Sequence, residues 1–161
     1  MEHSVEQLSE IAVHCGYKLH VDLGPGLLES VYEALMANAL SRHGLQVDRQ
    51  KPVRIEHDGI ILREGFRADI VVGNKLLIEL KSTERHMPVH AKQVLTYLRL
   101  MPLPLGLLMN FGAPTFKEGC KRIVNNHSDF ASSRLRVNQT EKGDPDDKPR
   151  GHGAICEDDG H

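Results

Sequence analysis

The first part of the chain has apolar residues at helical spacing. A capping-box pair, Ser4 and Gln7, precedes the first such run, which consists of Leu8, Ile11, Ala12, Cys15 and Leu19. A second run follows the LGPG break and extends from Leu27 to His43, with Gly44 at the position of a C-cap; its apolar face is Leu28, Val31, Leu35 and Ala39. The pattern predicts two amphipathic helices, the second beginning near Pro25.

The period then changes to that of strands. Asp58-Gly59 and Gly73-Asn74 are typical two-residue turns, and the segments around them alternate or are rich in β-branched residues. They predict three antiparallel strands, the second at 60–72 and the third at 76–81. Pro88 opens a third predicted helix, and 105–111 is typical of a buried strand. For 115–125 we favour a closing strand, although Thr115 and Glu118 resemble a capping box. The order α-α-β-β-β-α-β-β predicts an α/β sandwich with a mixed sheet.

Length and composition are those of a single folded domain. With 161 residues and 40% hydrophobic content, the chain is long enough for one soluble domain. The N-terminus MEHSVEQLSE is polar, no apolar run reaches membrane-spanning length, and the three cysteines form no CxxC pair. We therefore expect a cytoplasmic protein with reduced cysteines and no membrane partner.

The last part of the chain has a different composition. Residues 128–161 are rich in Gly, Pro, Asp and Lys and lack a sustained apolar period. Residues 1–127 hold 15 Lys and Arg against 14 Asp and Glu, while 128–161 hold 5 against 8. We expect a folded domain at 1–127 and a disordered acidic tail at 128–161, as a solvated terminus or an interaction segment. Neither charge balance indicates a nucleic-acid binder by itself.

Three charged residues interrupt the most hydrophobic region, GFRADIVVGNKLLIELKS. Alternation places Glu79 and Lys81 on one face of their strand, and the turn at Gly73-Asn74 can bring Asp69 near Glu79. An exposed strand end with an ordinary salt bridge is one explanation. The apolar neighbours favour another, because unpaired carboxylates are costly inside a sheet and a divalent cation such as Mg²⁺ would make them tolerable.

The same residues resemble a known motif. Asp69, nine residues, then Glu79-Leu80-Lys81 is similar to the PD-(D/E)XK nuclease signature, with Ala68 in place of the proline. The stretch HVDLGPGLLESVYE resembles the signature of the GxxExxY branch of that superfamily, with Gly26, Glu29 and Tyr32 at the named positions. Gln93 and Tyr97 resemble a Q-x-x-x-Y element of related nucleases. The resemblance covers about 5–126 and implies a restriction-endonuclease-like fold.

The resemblance also implies roles for individual residues. Asp69 and Glu79 would hold Mg²⁺, or Mn²⁺ as a substitute, with Glu29 as an additional acidic ligand from the second helix. Lys81 would orient the attacking water or stabilise developing charge, and the Leu80 carbonyl could complete the coordination. Gln93 and Tyr97 share a helix face and would contact phosphate or base; the alternative is a hydrogen-bonded structural pair.

Several histidines allow two interpretations of their role. His20 could face the substrate or end a helix where the dipole favours it, and we also place Tyr32 and Arg85 on the substrate side. His86 and His90 have zinc-like spacing, but Pro88 lies between them and no third ligand follows. We expect these two histidines to be exposed or on the substrate side.

Two functions remain open from the sequence. The first is a metal-dependent nuclease that hydrolyses DNA, or less favourably RNA; the second is a catalytically silent binding or regulatory module on the same fold. The acidic cluster favours the nuclease. The local positive charge, Arg85, His86, Lys92 and Arg99, is modest, so we expect weak, salt-sensitive DNA binding and consider a homodimer or a protein partner as an aid to gripping a duplex.

Overall fold

Nine helices and strands follow one another in the computed structural model, which describes residues 2–85 and 87–126. They are α1 (Val5–Leu23), α2 (Glu29–Arg42), β1 (Val47–His57), β2 (Ile60–Val72), β3 (Leu76–Lys81), α3 (Pro88–Leu100), β4 (Leu105–Asn110), α4 (Phe116–Gly119) and β5 (Cys120–Val124). The predicted order is confirmed, with the one-turn α4 added before the last strand. The expected acidic tail lies outside the described residues.

A mixed five-stranded sheet forms the centre of the fold. Its strands lie in chain order, β1-β2-β3-β4-β5. β3 and β4 are parallel, and the other neighbouring pairs are antiparallel. Because parallel neighbours need a crossover, α3 connects β3 to β4 over one face of the sheet. This topology confirms the predicted restriction-endonuclease-like α/β sandwich.

Two tight turns join the first three strands, and the register of β1 on β2 shifts once, between Val53 and Ile55. Asp58 and Gly59 both have positive φ, 47° and 75°, and so do Gly73 and Asn74, at 57° and 53°. Paired positive φ values are the geometry of hairpin turns whose twist matches that of the strands they join. The turn at Gly73 and Asn74 pairs β2 with β3, and this pairing positions the residues that follow.

Helices cover both faces of the sheet. On one face, α1 and α2 pack over an apolar cluster that includes Ile70, Ile78 and Leu107. On the other face, Val94 and Leu98 of α3 pack against Val71, Leu77 and Leu108. The sheet is therefore buried on both sides in its centre, as its apolar runs predict. No helix within 2–85 and 87–126 is long and apolar enough to span a bilayer.

The predicted face and start of α2 are wrong. α2 begins at Glu29, because the loop before it contains Gly26 at φ 109° and an extended Leu28. Leu28 is 73% exposed, whereas the helix buries Tyr32, Glu33, Met36, Ala37 and Leu40. The ring of Tyr32 stacks on Phe111 with 4.3 Å between centroids. Because of this contact, the buried face of α2 lies about one residue away from the predicted face, which was Leu28, Val31, Leu35 and Ala39.

The segment after β4 resolves the ambiguity at 115–125. The Thr115 hydroxyl accepts a hydrogen bond from the Glu118 amide at 3.3 Å, so the capping pattern does start a helix. At Gly119 that helix ends, and an added Cβ would lie only 2.2 Å from the Asn110 carbonyl oxygen. β5 then pairs antiparallel with β4, which confirms the predicted closing strand.

The cysteines of the described part of the chain are free thiols. Cys15 is buried and Cys120 is partly buried. Burial raises the pKa of Cys120 to about 11, so its thiol stays protonated at neutral pH. Both therefore behave as small core side chains.

Candidate active site

Asp69 and Glu79 face each other at the edge of the β2–β3 pairing. The pairing of β2 with β3 ends at Ile70 and Ile78, the residues directly next to Asp69 and Glu79. Asp69 Oδ2 accepts a hydrogen bond from the Leu80 amide at 2.9 Å. Glu79 is only 4% exposed, and its Oε2 is buried without a hydrogen-bond partner. The turn at Gly73 and Asn74 thus brings the two carboxylates together.

The protonation of this pair reflects burial and mutual repulsion. Burial, reinforced by the charge of Asp69, raises the pKa of Glu79 to about 7. Burial also raises the pKa of Asp69, and Glu33 adds to the shift, although the Leu80 amide, Lys81 and Gln50 act in the opposite direction. The pair therefore has too little positive charge around it to be stable as two carboxylates.

A divalent cation would supply the positive charge that Asp69 and Glu79 lack. The Glu79 Oε2 atom accepts no hydrogen bond, so its lone pairs are free to bind a cation. Carboxylate oxygens are the ligands that Mg²⁺ and Mn²⁺ prefer. The donor set of Asp69 and Glu79 therefore fits such an ion. Within 2–85 and 87–126, no three His, Cys, Asp or Glu side chains gather into a metal-binding group, so two carboxylates form the core of this set.

Lys81 lies beside the pair at the end of β3. Its ammonium donates a hydrogen bond to Glu79 Oε1 at 3.1 Å, and its side chain is 15% exposed. Burial acts to lower the pKa of Lys81, but the charges of Glu79, Glu29 and Asp69 outweigh it and raise the pKa above its usual value. The site therefore keeps a fixed positive charge and a hydrogen-bond donor next to two carboxylates.

Glu29 borders this group from the first turn of α2. Its Oε1 accepts a hydrogen bond from the Ser82 amide at 3.2 Å, just beyond β3. The Ser82 hydroxyl donates to the Leu27 carbonyl at 2.6 Å and so ties the same two segments together. The Glu29 charge raises the pKa of both Glu79 and Lys81. Glu29 thus contributes to the field of the site without closing a three-carboxylate cluster.

Gln93 and Tyr97 meet on the face of α3 nearest the site. Gln93 Nε2 donates to the Tyr97 hydroxyl at 2.6 Å, and the Tyr97 ring stacks on Phe66 with centroids 3.6 Å apart. Burial and the charge of Glu79 raise the pKa of Tyr97. The pair is close enough to feel the carboxylates and is anchored by an aromatic contact with β2 that the sequence does not indicate.

The three residues expected on the substrate side have different positions. His20 is buried, and its Nε2 lies 2.9 Å from the Ala113 carbonyl oxygen. Tyr32 is fully buried; its hydroxyl donates to the Gly24 carbonyl at 2.6 Å and accepts from the Leu27 amide at 3.3 Å. These positions favour structural roles for both residues. Arg85 is exposed, and His86 lies outside the described residues.

A second polar group, which the sequence did not indicate, lies next to Asp69. Gln50 Nε2 donates to Asp69 Oδ1 at 3.3 Å and to Glu33 Oε2 at 2.7 Å. Arg49 Nε donates to Glu33 Oε1 at 2.9 Å. Glu33 follows Tyr32 on α2, and its burial would have been expected only from the correct helix face. The turn at Asp58-Gly59 does not by itself place Gln50 beside Asp69, because the register of β1 on β2 shifts between Val53 and Ile55.

Fold and site together define a class. A mixed sheet covered by helices, with two facing carboxylates and a lysine two residues after the second, is the arrangement of restriction-endonuclease-like nucleases. A family model of the PD-(D/E)XK nuclease superfamily matches residues 6–123. The chain belongs to that superfamily. No curated protein and no solved structure gives a significant match to the chain.

Proposed function

We propose that this protein is a divalent-metal-dependent nuclease that hydrolyses DNA phosphodiester bonds. The observation that carries the proposal is the pair of half-buried Asp69 and buried Glu79, in which one Glu79 oxygen has no hydrogen-bond partner and the pKa of Glu79 is raised to about 7. Superfamily membership supports a nuclease. A binding module would gain nothing from this pair, which destabilises the metal-free sheet.

The proposed roles follow from the contacts of each side chain. Asp69 and Glu79 would hold Mg²⁺, with Mn²⁺ as a substitute, and such an ion would supply Lewis-acid polarisation of the scissile phosphate and a water of lowered pKa. Lys81 donates a hydrogen bond toward the attacking water or a phosphate oxygen, where negative charge develops. Because Lys81 stays protonated, it serves as a donor and an electrostatic stabiliser and not as a general base.

Neighbouring residues would shape the approach of substrate. Glu29 would act through a water molecule shared with the two carboxylates, since it borders them at the Ser82 amide. Gln93 and Tyr97 would contact the phosphate next to the cleaved bond, with Phe66 holding the tyrosine ring. Arg85 is exposed and would contact the backbone of the nucleic acid.

Membership of the GxxExxY branch is part of the proposal and has a physical basis in this chain. Gly26 adopts φ 109°, which L side chains rarely reach, and the Tyr32 hydroxyl bridges Gly24 and Leu27 in the same loop. Between them, Glu29 begins α2 next to Ser82. In this proposal Gly26 allows the turn, Glu29 supplies the acidic group, and Tyr32 fixes the loop that carries both.

DNA is the proposed substrate, and weak binding is expected. Residues 1–127 carry 15 basic against 14 acidic residues, so phosphate contacts must come from the few cations near the site. We propose that a second copy of the chain or a protein partner supplies further contacts. This near-neutral charge is also the observation that favours the second candidate function, a catalytically silent nuclease-fold module.

A cleavage assay decides between the two functions. The protein is incubated with linear, nicked, single-stranded and covalently closed circular DNA, and with RNA, in Mg²⁺, Mn²⁺ or EDTA. We expect cleavage of DNA with either metal, no cleavage with EDTA, and strongly reduced cleavage by Lys81→Ala. Inactivity on every substrate with both metals, together with undetectable Mn²⁺ binding, would favour the silent module. Cleavage of circular DNA would establish endonuclease action.

A further inference from the structure

Gln50 occupies an unusual position between two acidic residues. Its amide nitrogen has two hydrogens, and the two acceptors within reach are Glu33 Oε2 at 2.7 Å and Asp69 Oδ1 at 3.3 Å. The opposite orientation of the amide would place its oxygen against both carboxylates and would be repulsive. The side chain of Gln50 therefore bridges the carboxylate of α2 and that of β2.

The backbone of Gln50 is held in a conformation that its residue type disfavours. Its φ is 48° in the middle of β1, between Arg49, which pairs with Ile70, and Lys51, which pairs with Ala68. Each of the other positive-φ residues in β1, β2 and the turns between 47 and 75 lies in a hairpin turn: Asp58, Gly59, Gly73 and Asn74. No turn requires the conformation at Gln50, and strained residues persist where the surroundings over-determine them, often at functional sites.

Glu33 gives this bridge a fixed end. It is 6% exposed on the buried face of α2, and Arg49 Nε donates to its other oxygen at 2.9 Å. Asp69 is held at its second oxygen by the Leu80 amide at 2.9 Å. Each oxygen of Asp69 thus has one donor, which fixes the plane of the carboxylate while lone pairs remain on both oxygens.

We propose that Gln50 is a positioning residue for the metal-binding carboxylate Asp69, and that Glu33 anchors it. Gln50 presents Asp69 in the orientation that binds a divalent cation and separates the Asp69 carboxylate from that of Glu33. The bridge resembles the outer hydrogen bonds that orient metal ligands, whose loss commonly lowers metal affinity or activity by about 10- to 100-fold. The inference rests on the proposed metal-dependent function.

Metal binding without substrate provides the direct test. Mn²⁺ affinity of the full chain is measured by titration calorimetry for the wild type, Gln50→Gly, Glu33→Gln and the double variant. Gln50→Gly removes two hydrogen bonds but relaxes the positive φ, so these effects should largely offset each other and the unfolding midpoint should change little. Its Mn²⁺ affinity should fall by about 10-fold or more. The losses in the double variant should be less than additive, because Glu33 acts in part through Gln50 and in part through its charge on Asp69.

Asp58→Gly is the matched control. Asp58 also has positive φ, at 47°, and its side chain is exposed beside His57 in the turn between β1 and β2. It relaxes a comparable backbone position and should leave Mn²⁺ affinity unchanged. In cleavage assays, Gln50→Gly should raise the Mg²⁺ concentration for half-maximal rate, while the KM for DNA at saturating Mg²⁺ stays near the wild-type value.

The outcomes separate the two levels of the proposal. Wild-type Mn²⁺ affinity in Gln50→Gly would overturn the positioning role while leaving the metal-dependent function intact. Additive losses in the double variant would overturn the role of Glu33 as an anchor for Gln50. Absence of Mn²⁺ binding by the wild type would overturn both the proposed metal site and the inference built on it.

Discussion

At Glu79, a buried carboxylate lies beside a second one and has one oxygen with no hydrogen-bond partner. Its pKa is raised to about 7 by burial and by Asp69. A group whose pKa is higher in the folded than in the unfolded chain stabilises the fold below its unfolded value, near 4.5, and loses that contribution as pH rises through its folded value. The metal-free fold is therefore strained at neutral pH by this residue.

The first prediction concerns this pH dependence. In EDTA, the free energy of unfolding should fall between pH 5 and pH 8, by up to about 3 kcal/mol from Glu79. Glu79→Gln should flatten this slope, and saturating Mg²⁺ should oppose it in the wild type. Urea unfolding at several pH values measures the effect. Glu10→Gln, at an exposed position of α1, is the control and should keep the wild-type slope.

Lys81 provides a second prediction at the same scale. Lys81→Ala removes a hydrogen-bond donor from the reacting groups and should lower the cleavage rate by about 10²- to 10³-fold. Mg²⁺ affinity should be kept or increased, because Lys81 forms an ion pair with Glu79 Oε1 at 3.1 Å and competes with a cation for that oxygen. Calorimetry that showed a large loss of Mg²⁺ affinity in Lys81→Ala would contradict this role.

At the scale of elements, the loop between α1 and α2 holds Glu29 against the end of β3. Glu29→Gln should lower the cleavage rate and metal affinity with little change in the free energy of unfolding, because, within the part of the chain that the structure describes, the Glu29 side chain accepts only an exposed hydrogen bond from the Ser82 amide. Unchanged rate and metal dependence in this variant would remove Glu29 from the site.

Tyr32 tests the same loop through a different mechanism. Tyr32→Phe keeps the stack on Phe111 but removes the hydroxyl that bonds Gly24 and Leu27. We expect a loss of about 1 kcal/mol in unfolding free energy and a smaller rate defect than in Glu29→Gln. A rate defect larger than that of Glu29→Gln, with unchanged KM for DNA, would instead favour a direct contact between Tyr32 and the reacting phosphate.

Some of these elements could be predicted from the local sequence and others could not. The strand pairing that joins Asp69 to Glu79 was predictable because one tight turn at Gly73-Asn74 separates them. The buried face of α2 was not, since Leu28 and Val31 have helical spacing as good as that of Tyr32, and the choice is made by packing on Phe111. The contact of Gln50 with Asp69 was not predictable from the turn at Asp58-Gly59, because an irregularity between Val53 and Ile55 shifts the register of β1 on β2.

At the scale of the whole molecule, the sequence predicts that the folded unit ends near residue 127. A chain truncated after His127 should keep its melting temperature and cleavage rate, because residues 128–161 have no core-forming period and no candidate site residue. If the acidic segment competes with DNA, its removal should increase DNA affinity at low salt and have little effect at high salt. A large fall in melting temperature on truncation would contradict the proposed boundary.

The central claim is that Asp69 and Glu79 hold the ion needed for phosphodiester hydrolysis. Its most direct test is the single-turnover cleavage rate of DNA at saturating Mg²⁺ for the wild type, Asp69→Asn and Glu79→Gln, with Glu10→Gln as the control. We expect metal-dependent cleavage by the wild type and the control, and a rate lower by several orders of magnitude in both site variants, which should remain folded. Wild-type rates in Asp69→Asn and Glu79→Gln would contradict it.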